Sequence, residues 1–218
     1  NGINFLLGDS VASFEKNTAI MNSGKTVHFD VLVLAVGVRA NTSLIKDISG
    51  EVNRGILVNT KMETSIPDVY AAGDCTEGED ISFQGKRVLA ILPNAYMQGN
   101  CAGVNMTGHS AVFDKAIPMN SIGFFGLHAM TAGSYYTAEQ GGELYEEKTE
   151  HTLKRLFTKD DYLTGFILIG ATDRAGIYTS LIRDRIPLSS INFERLKKTA
   201  TSTAFSAEKR KQFFGGVV

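Results

Sequence analysis

The sequence predicts an α/β domain followed by a smaller α+β domain. Residues 30–36 form an apolar run without polar alternation, which is typical of a central parallel strand buried on both faces. Pro93 then opens a helical segment, residues 94–106, which ends at Thr107-Gly108. Beyond residue 118, five strand patterns and a helical tail follow without any repeat, which predicts a small α+β domain with a five-stranded sheet.

Short strands joined by tight turns are predicted for the start of the chain. These predicted strands are residues 3–7, 11–15, 19–21 and 26–29. Residues 22–25, Asn-Ser-Gly-Lys, have the chemistry of a hairpin turn. After the apolar run, the sequence predicts a short helix over residues 43–48 and strands over 55–58 and 69–72.

The second half of the chain changes character around residues 111–118, and we place a domain boundary there. The five strands predicted beyond it are residues 121–125, 129–135, 143–149, 152–158 and 162–169. A helix is predicted over residues 176–185, and one or two more over residues 191–211. The predicted domains are therefore 1–35, 36–112 and 113–218.

Composition excludes several classes of partner. With 22 basic and 23 acidic side chains, the formal net charge is −1, which gives no reason to expect a nucleic acid or an anionic membrane as partner. No apolar run approaches the roughly 18 residues of a membrane helix. Cys75 and Cys101 are too few for a disulfide framework and lack metal-ligand spacing, which favours a reducing cytoplasm.

Residues 64–74 are the most informative segment of the sequence. Pro67-Asp68 predicts a turn, because proline fixes its own backbone and has no amide donor. A short strand follows, and Gly73 allows a sharp bend where a ligand approaches the backbone. Asp74 is then expected at the carboxyl end of a strand, the edge at which open α/β sheets bind ligands. The alternative is a capping aspartate on an ordinary strand-to-loop turn.

The same segment reads Thr-Ser-Ile-Pro-Asp-Val-Tyr-Ala-Ala-Gly-Asp. It resembles the second flavin-binding motif of the FAD-dependent pyridine nucleotide-disulfide oxidoreductases. That family includes NADH oxidases, rubredoxin and ferredoxin reductases, CoA-disulfide reductases and the flavin part of NADH-dependent nitrite reductases. Its terminal aspartate contacts the ribityl chain and pyrophosphate of FAD. The resemblance therefore implies this role for Asp74, with Gly73 allowing close approach.

Two further segments are similar to the same family. Residues 30–41 resemble the strand and turn by which the chain returns from the NAD domain to the FAD domain, so Gly37 joins the cofactor-binding candidates. The usual proline of that turn is replaced by Ala40. Residues 54–59, Arg-Gly-Ile-Leu-Val-Asn, fall in the expected place between the two motifs.

The helix after Pro93 provides a second part of the expected cofactor site. In the family, the N-terminus of this helix points at the pyrimidine end of the flavin, and the helix dipole favours the negative charge that develops there on reduction. Asn94, Ala95 and Tyr96 are therefore candidates for contact with the flavin. The alternative is an ordinary amphipathic helix on a sheet, and the two interpretations are compatible. The predicted packing face consists of Ala95, Met97, Ala102 and Met106.

The second half of the chain resembles the family's small C-terminal dimerisation domain. Residues 119–133 are similar to its opening strands, and residues 162–170 and the 176–185 helix also fit. The resemblance therefore implies a partial two-dinucleotide-binding-domain fold, Rossmann-like, with residues 1–35 as the tail of the NAD domain and 36–112 as the C-terminal part of the FAD domain. Residues 113–218 would form the dimerisation domain, and a homodimer is expected through it.

The expected cofactors are FAD and, as co-substrate, NAD(P)H. No Gly-x-Gly-x-x-Gly motif occurs in the sequence, so neither glycine-rich dinucleotide loop of the family is present. The chain also opens at Asn1 almost directly into strand-like sequence, and we interpret it as the C-terminal part of a longer protein. Cys75, Cys101 and the scattered histidines are predicted to have no redox or metal-binding role.

Two functional hypotheses remain open at this point. In the first, the intact protein passes electrons from NAD(P)H through FAD to oxygen, a small redox protein, a disulfide or a nitrite-reducing module. No side chain of this chain is then expected to act as acid, base or nucleophile. In the second, the isolated piece is a non-catalytic dimerisation or interaction fragment that binds no cofactor.

Overall fold

A computed structural model describes residues 2–83 and 85–214 of the chain. The chain divides between Val38 and Arg39 into two compact units, each of which is described by itself below. The predicted division of the second unit near residue 112 stays a prediction. None of the helices in the described ranges combines the length and the apolar character that a membrane crossing requires.

The first unit contains a small antiparallel sheet. Its strands are β1 (Val11–Glu15), β2 (Thr18–Met21) and β3 (Thr26–His28), with β2 in the centre. These three strands and the turn between β2 and β3 were predicted from the sequence. The Asp9 side chain accepts hydrogen bonds from Ser10 and Ser23, and the hydroxyl of Ser23 is the main cause that lowers the pKa of Asp9.

Two predicted strands of the first unit are not formed. Residues 3–7 have no regular structure, and Phe5 and Leu7 are 73% and 87% exposed. Residues 30–36 were predicted as a central, doubly buried strand, yet Val31 is 80% and Val36 is 90% exposed. Apolar residues form a strand only when neighbouring strands satisfy the backbone and cover both faces. Within the described part of the chain no strand pairs with either segment.

The second unit opens with short elements. Helix α1 (Ser43–Lys46) confirms the predicted helix, and β4 (Ile56–Leu57) lies within the predicted strand 55–58. Strand β5 (Thr76–Asp80) runs parallel to β4 and pairs antiparallel with β6 (Gly85–Arg87) on its other side. Neither β5 nor β6 was predicted.

The predicted strand over residues 69–72 is wrong. These residues contribute only an isolated bridge between Glu63 and Tyr70. Pairing with β4 begins later, where the Ile56 amide donates to the Cys75 carbonyl and Ile56 lies beside Thr76. The strand therefore follows the Gly73-Asp74 turn instead of preceding it.

Helix α2 (Leu92–Met106) confirms the predicted helix and is the longest in the described chain. Pro93 lies in its first turn, where the missing amide hydrogen has no intrahelical acceptor to lose. The helix ends at Thr107, whose hydroxyl donates to the carbonyl of Val104 at 2.7 Å.

A five-stranded antiparallel sheet follows, as predicted. Its strands, in chain order, are β7 (Met119–Phe124), β8 (Leu127–Gly133), β9 (Glu143–Lys148), β10 (Leu153–Lys159) and β11 (Tyr162–Ile169). Their order across the sheet is β7-β8-β11-β10-β9, so β11 is central and β7 and β9 are the edges. Gly133 at the end of β8 lies opposite Gly165 of β11.

One side of this sheet carries the main hydrophobic core. Helix α3 (Ala175–Arg183) packs against β11 and β8 and confirms the helix predicted over 176–185. Helices α4 (Phe193–Lys198) and α5 (Ala207–Phe214) follow in the predicted helical tail. The fully buried side chains of this core include Leu156, Leu163, Phe166, Tyr178, Leu181 and Leu196.

Tyr178 provides a testable link between α3 and α4. Its hydroxyl donates to the Leu196 carbonyl at 2.7 Å, and burial raises the pKa of Tyr178 to about 12. Tyr178→Phe leaves that carbonyl without its donor, so we expect the free energy of unfolding to fall by about 1–2 kcal/mol at neutral pH. The measurement is urea unfolding followed by circular dichroism.

The raised pKa of Tyr178 also predicts how the difference in the free energy of unfolding between wild type and Tyr178→Phe depends on pH. Because the folded state favours the neutral phenol, its contribution is complete below the unfolded pKa of about 10 and is lost as the pH rises through about 12. The stability advantage of wild type over Tyr178→Phe should therefore shrink as the pH rises across that range. Tyr162→Phe is the control, because the Tyr162 hydroxyl forms no hydrogen bond with the described residues. A constant difference across the range would contradict the prediction.

Candidate functional site

The turn at Gly73 lies directly against helix α2. Gly73 has a φ of +90°, a conformation that favours glycine, and its amide donates to Gln98 Oε1 at 2.7 Å. A Cβ placed on Gly73 would lie 3.7 Å from the Cβ of Ala95. The structure thus brings the end of the 64–74 motif and the first turns of α2 together.

The rest of the turn is fixed by Thr76. Its amide and its hydroxyl both donate to the Gly73 carbonyl, at 3.0 and 2.8 Å, and the hydroxyl lies 3.1 Å from Gln98 Oε1. Thr76 is 1% exposed, so these bonds are protected from water. The turn is therefore held by hydrogen bonds from both Thr76 and Gln98, which give it a defined shape.

Asp74 projects from this turn into solvent. Its side chain is exposed and forms no hydrogen bond or ion pair with any residue in 2–83 or 85–214. The expectation that Asp74 closes a strand is corrected by the structure, because Asp74 precedes β5 by two residues. The parallel pairing of β4 with β5 starts only after the turn, which leaves the carboxylate at the amino end of β5.

The first turn of α2 presents three different environments. Asn94 is 0% exposed, and its Nδ2 donates to the Ile117 carbonyl at 3.2 Å. Its Oδ1 is buried without a hydrogen-bond partner among the described residues. Ala95 is half-buried beside Gly73, and Tyr96 is 78% exposed. Of the three predicted flavin contacts, Ala95 and Tyr96 are therefore accessible, whereas Asn94 faces the protein interior.

The predicted packing face of α2 is wrong in large part. Met97 and Met106 are 37% and 67% exposed, and only Ala102 of that set is buried. The buried side chains of the helix are Asn94, Gln98, Cys101, Ala102 and Asn105. Its inner face packs against loops whose backbone groups need partners, so amide side chains occupy it. Asn105 shows this directly, since it donates to the Lys61 carbonyl and both donates to and accepts from the backbone of Ala111.

Sequence reasoning missed Gln98, which joins the two halves of the site. A usable signal was present, because Asn94, Gln98, Cys101 and Asn105 recur at helical spacing on one face. It also missed Glu77, a buried carboxylate of β5. Glu77 accepts hydrogen bonds from the amides of Arg54 and Gly55 at 2.9 and 3.0 Å. These bonds attach the start of the 54–59 segment to β5.

The remaining positions singled out in the sequence are Gly37 and the two cysteines. Gly37 lies in the first unit, exposed, with a φ of +91°. Cys75 Sγ contacts the Ala72 carbonyl at 3.6 Å, and burial raises the pKa of the Cys101 thiol. No cluster of three or more His, Cys, Asp or Glu side chains suited to a metal ion occurs within the described ranges.

The residues at the turn fit part of a flavin dinucleotide. An exposed carboxylate with no described protein partner is suited to hydroxyl donors, and the glycine beside it allows a ligand to reach the backbone. The N-terminus of a 15-residue helix lies alongside and favours negative charge. The residues of the turn include no acid–base or nucleophilic pair, so they are suited to binding and orienting a cofactor and not to reacting with a substrate.

The chain is similar to several known proteins. Residues 1–99 match the family described as pyridine nucleotide-disulphide oxidoreductase. Over 200 residues the chain is 34% identical to subunit epsilon of the NADH-dependent phenylglyoxylate dehydrogenase of Aromatoleum evansii, covering 87% of this chain and 47% of that protein. Over 117 residues it is 36% identical to the NADH-rubredoxin oxidoreductase of Clostridium acetobutylicum, covering 54% and 29%.

A solved structure shares the fold. The NAD-dependent persulfide reductase from A. fulgidus matches with a TM-score of 0.78 at 21% identity, covering 95% of this chain and 42% of that one. The chain therefore spans about half the length of its relatives, or less. The family match and the sequence identities, together with the mixed α/β fold, show that the chain belongs to the pyridine nucleotide-disulphide oxidoreductase family.

Proposed function

We propose that this chain forms one side of the FAD site of an oxidoreductase that passes electrons from NAD(P)H through FAD to an acceptor. The observation that supports it is the junction of the Gly73-Asp74 turn with the first turns of α2. Gln98 holds that junction by accepting from the Gly73 amide at 2.7 Å. Bound FAD would supply the hydride chemistry, and the chain would position the cofactor.

Each residue of the turn has a distinct part in this proposal. Asp74 accepts hydrogen bonds from ribityl hydroxyls, each worth about 1.5–3 kcal/mol because the acceptor is charged. Gly73 leaves room for the cofactor beside the backbone. Ala95 and Tyr96 contact the flavin at the start of α2, where the helix dipole favours negative charge. Asn94 supports this turn from within, through its bond to Ile117.

The acceptor and the assembly are also part of the proposal. A relative named as a rubredoxin oxidoreductase supports a small electron-carrier protein as the partner that receives the electrons. We further propose a homodimer formed through residues 113–218. The sheet edges β7 and β9 both lie in that segment and are unpaired in the described chain.

Asp74→Ala tests the proposed cofactor role. In the full-length product of the gene that encodes this chain, we expect FAD to bind about tenfold to a hundredfold more weakly, because charge-assisted hydrogen bonds are lost. The fold should persist, since the side chain has no described protein partner. The measurement is a flavin-fluorescence titration of the apoprotein, with the melting temperature recorded in parallel.

Asp114→Ala is the matched control, because Asp114 is also exposed and forms no described hydrogen bond or ion pair. It should bind FAD as wild type does. Equal FAD affinity in Asp74→Ala and wild type would show that the assigned role is wrong. The sequence of the 218-residue chain contains no Gly-x-Gly-x-x-Gly motif, so the chain by itself is expected to purify without flavin absorbance. Stoichiometric FAD in that preparation would contradict this expectation.

A further inference from the structure

A cavity of about 350 Å³ lies between the hairpin formed by β5 and β6 and one face of the five-stranded sheet. Its volume is within the range of small-molecule sites. We name it the Arg87 pocket, after the residue that the hairpin contributes. The sheet and the segment that follows β8 contribute Asn120, Thr131, Gly133, Ser134 and Tyr135.

The strand residues that line the pocket share one face of the sheet. Asn120 lies opposite Thr131 in the register of β7 and β8, and the Gly133 amide donates to the Pro118 carbonyl. Successive residues of a strand point to opposite faces. Ala132, between Thr131 and Gly133, is 2% exposed and belongs to the core that α3 covers. The pocket therefore lies on the other face, and a single ligand can contact these residues together.

The pocket carries one positive charge. Arg87 is the only charged side chain among the described residues that line it. The Arg87 guanidinium lies 3.6 Å from the centre of the Phe83 ring, and its Nη1 lies 3.5 Å from Asp80 Oδ2. Arg87 forms no hydrogen bond with the described residues, so its five N–H donors are available to a ligand.

Asp80 restrains this charge through a buried network. Asp80 is 1% exposed, and its Oδ1 accepts from the amide and hydroxyl of Ser82 at 2.9 and 2.7 Å. The Ser82 hydroxyl lies 3.0 Å from that of Ser134, which lines the pocket. Asp80 Oδ2 is buried without a hydrogen-bond partner among the described residues and faces Arg87. These contacts limit the orientations of Arg87, which lowers the entropic cost of binding an anion.

The uncharged lining of the pocket is polar. The side chains of Asn120, Thr131 and Tyr135 form no hydrogen bond with the described residues, and each can both donate and accept. An apolar ligand would remove these groups from water without replacing their hydrogen bonds, which is costly. Hydroxyl groups on a ligand would replace those bonds. The lining therefore favours a polar ligand.

We propose that the Arg87 pocket binds a small hydroxycarboxylate, with its carboxylate on Arg87 and its hydroxyls on Asn120 and Thr131. The planar guanidinium matches a carboxylate through two parallel hydrogen bonds. A monoanion fits better than a dianionic phosphate, because the charge of Asp80 offsets part of that of Arg87. The proposal does not rest on the flavin site, since none of its residues is Gly73, Asp74 or Ala95.

The test compares matched probes on the full-length gene product by isothermal titration calorimetry. Glycerate should bind at least about fivefold more tightly than propionate, which lacks both hydroxyls, and at least about tenfold more tightly than glyceramide, which lacks the charge. Equal affinity for glycerate and propionate would overturn the assignment of the hydroxyls. Equal affinity for glycerate and glyceramide would overturn that of the carboxylate. Inorganic phosphate that binds as tightly as glycerate would contradict the preference for a hydroxycarboxylate.

Variants of the pocket test the two kinds of contact separately. Arg87→Gln should weaken glycerate at least about tenfold and glyceramide much less. Lys86→Gln is the control and should leave glycerate unchanged, because Lys86 donates to the Val58 carbonyl, away from the pocket. Thr131→Val, which removes one hydroxyl at nearly constant shape, should weaken glycerate about twofold to tenfold and leave propionate unchanged. Unchanged glycerate affinity in a folded Arg87→Gln variant would contradict the proposal, and the wild-type probe series decides if that variant fails to fold.

Asp80→Asn tests whether the buried carboxylate sets the charge preference. The amide oxygen of the variant can still accept from Ser82, but the negative charge behind Arg87 is gone. The affinity for phosphate relative to that for glycerate should then rise at least about fivefold, because a dianion gains more from the uncovered charge. An unchanged ratio in a folded variant would show that the role given to Asp80 is wrong.

Discussion

Gly133→Ala is expected to lower the free energy of unfolding by about 2–5 kcal/mol, because two costs fall on one position. Gly133 has a φ of +74°, which costs an L-residue about 1–2 kcal/mol. A Cβ there would also lie 2.0 Å from the Thr164 carbonyl oxygen and 2.9 Å from the Gly165 Cα. These are backbone atoms, so β8 and β11 must move apart, at a further cost of about 1–3 kcal/mol.

The comparison that isolates the clash uses Gly126→Ala. Gly126 has nearly the same backbone conformation, with a φ of +77°, but a Cβ placed on it would meet no atom within 4 Å beyond its chain neighbours in the described residues. It should therefore cost only the conformational term of about 1–2 kcal/mol. Chemical unfolding of both variants gives the difference. Equal destabilisation by the two substitutions would show that β8 and β11 relax without cost and would refute the argument.

The fold of the second half was predictable because its signals are local. Each strand from β7 to β11 is bounded by turn residues and paired with its neighbour in an antiparallel sheet, so short segments determine its limits. Helix α2 was predictable for the same reason, since Pro93 and Thr107-Gly108 mark its two ends. Local signals could not predict the order of the strands across the sheet, because β8 pairs with β11, which is distant in sequence.

The strands of the first half were less predictable because they depend on partners. The apolar run 30–36 has the composition of a buried strand. Such a segment forms a strand only where neighbouring strands bond its backbone groups and other elements bury its side chains. The described chain supplies none, and Val33 is 79% exposed. Strand β5 shows the opposite error, because its sequence, Thr-Glu-Gly-Glu-Asp, has little strand propensity and yet it pairs with both β4 and β6.

The geometry of the candidate site could not be predicted from the sequence, and the roles of its residues stay predictions. The pattern ending at Gly73-Asp74 predicted a turn. In the structure this turn precedes β5, and it is held there because Gln98 accepts a hydrogen bond from the Gly73 amide and Thr76 donates one to the Gly73 carbonyl. Gln98 was overlooked since a polar residue within a helix usually faces solvent. Buried amides become favourable where a helix packs on loops with unpaired backbone groups, and such loops cannot be recognised from periodicity.

Glu77→Ala is expected to lower the free energy of unfolding by about 2–4 kcal/mol, because three donors lose one acceptor. Asn53 Nδ2 and the amides of Arg54 and Gly55 all donate to its carboxylate, at 2.9–3.0 Å. Gly55 is buried, so its amide is left without water or protein as a partner. Glu77→Gln should cost less, since the amide oxygen still accepts from one side.

Hydrogen exchange distinguishes this local role from a general loss of stability. The amides of Arg54 and Gly55 should lose protection in Glu77→Ala before those of β10 and β11 do, because the carboxylate alone joins the 53–55 turn to β5 through side-chain bonds. Glu79→Ala is the control, since Glu79 lies on the same strand but is exposed, and it should change stability by about 0.5 kcal/mol or less. If exchange accelerates equally in every element, Glu77 stabilises the fold as a whole and its link between the 53–55 turn and β5 has no local effect.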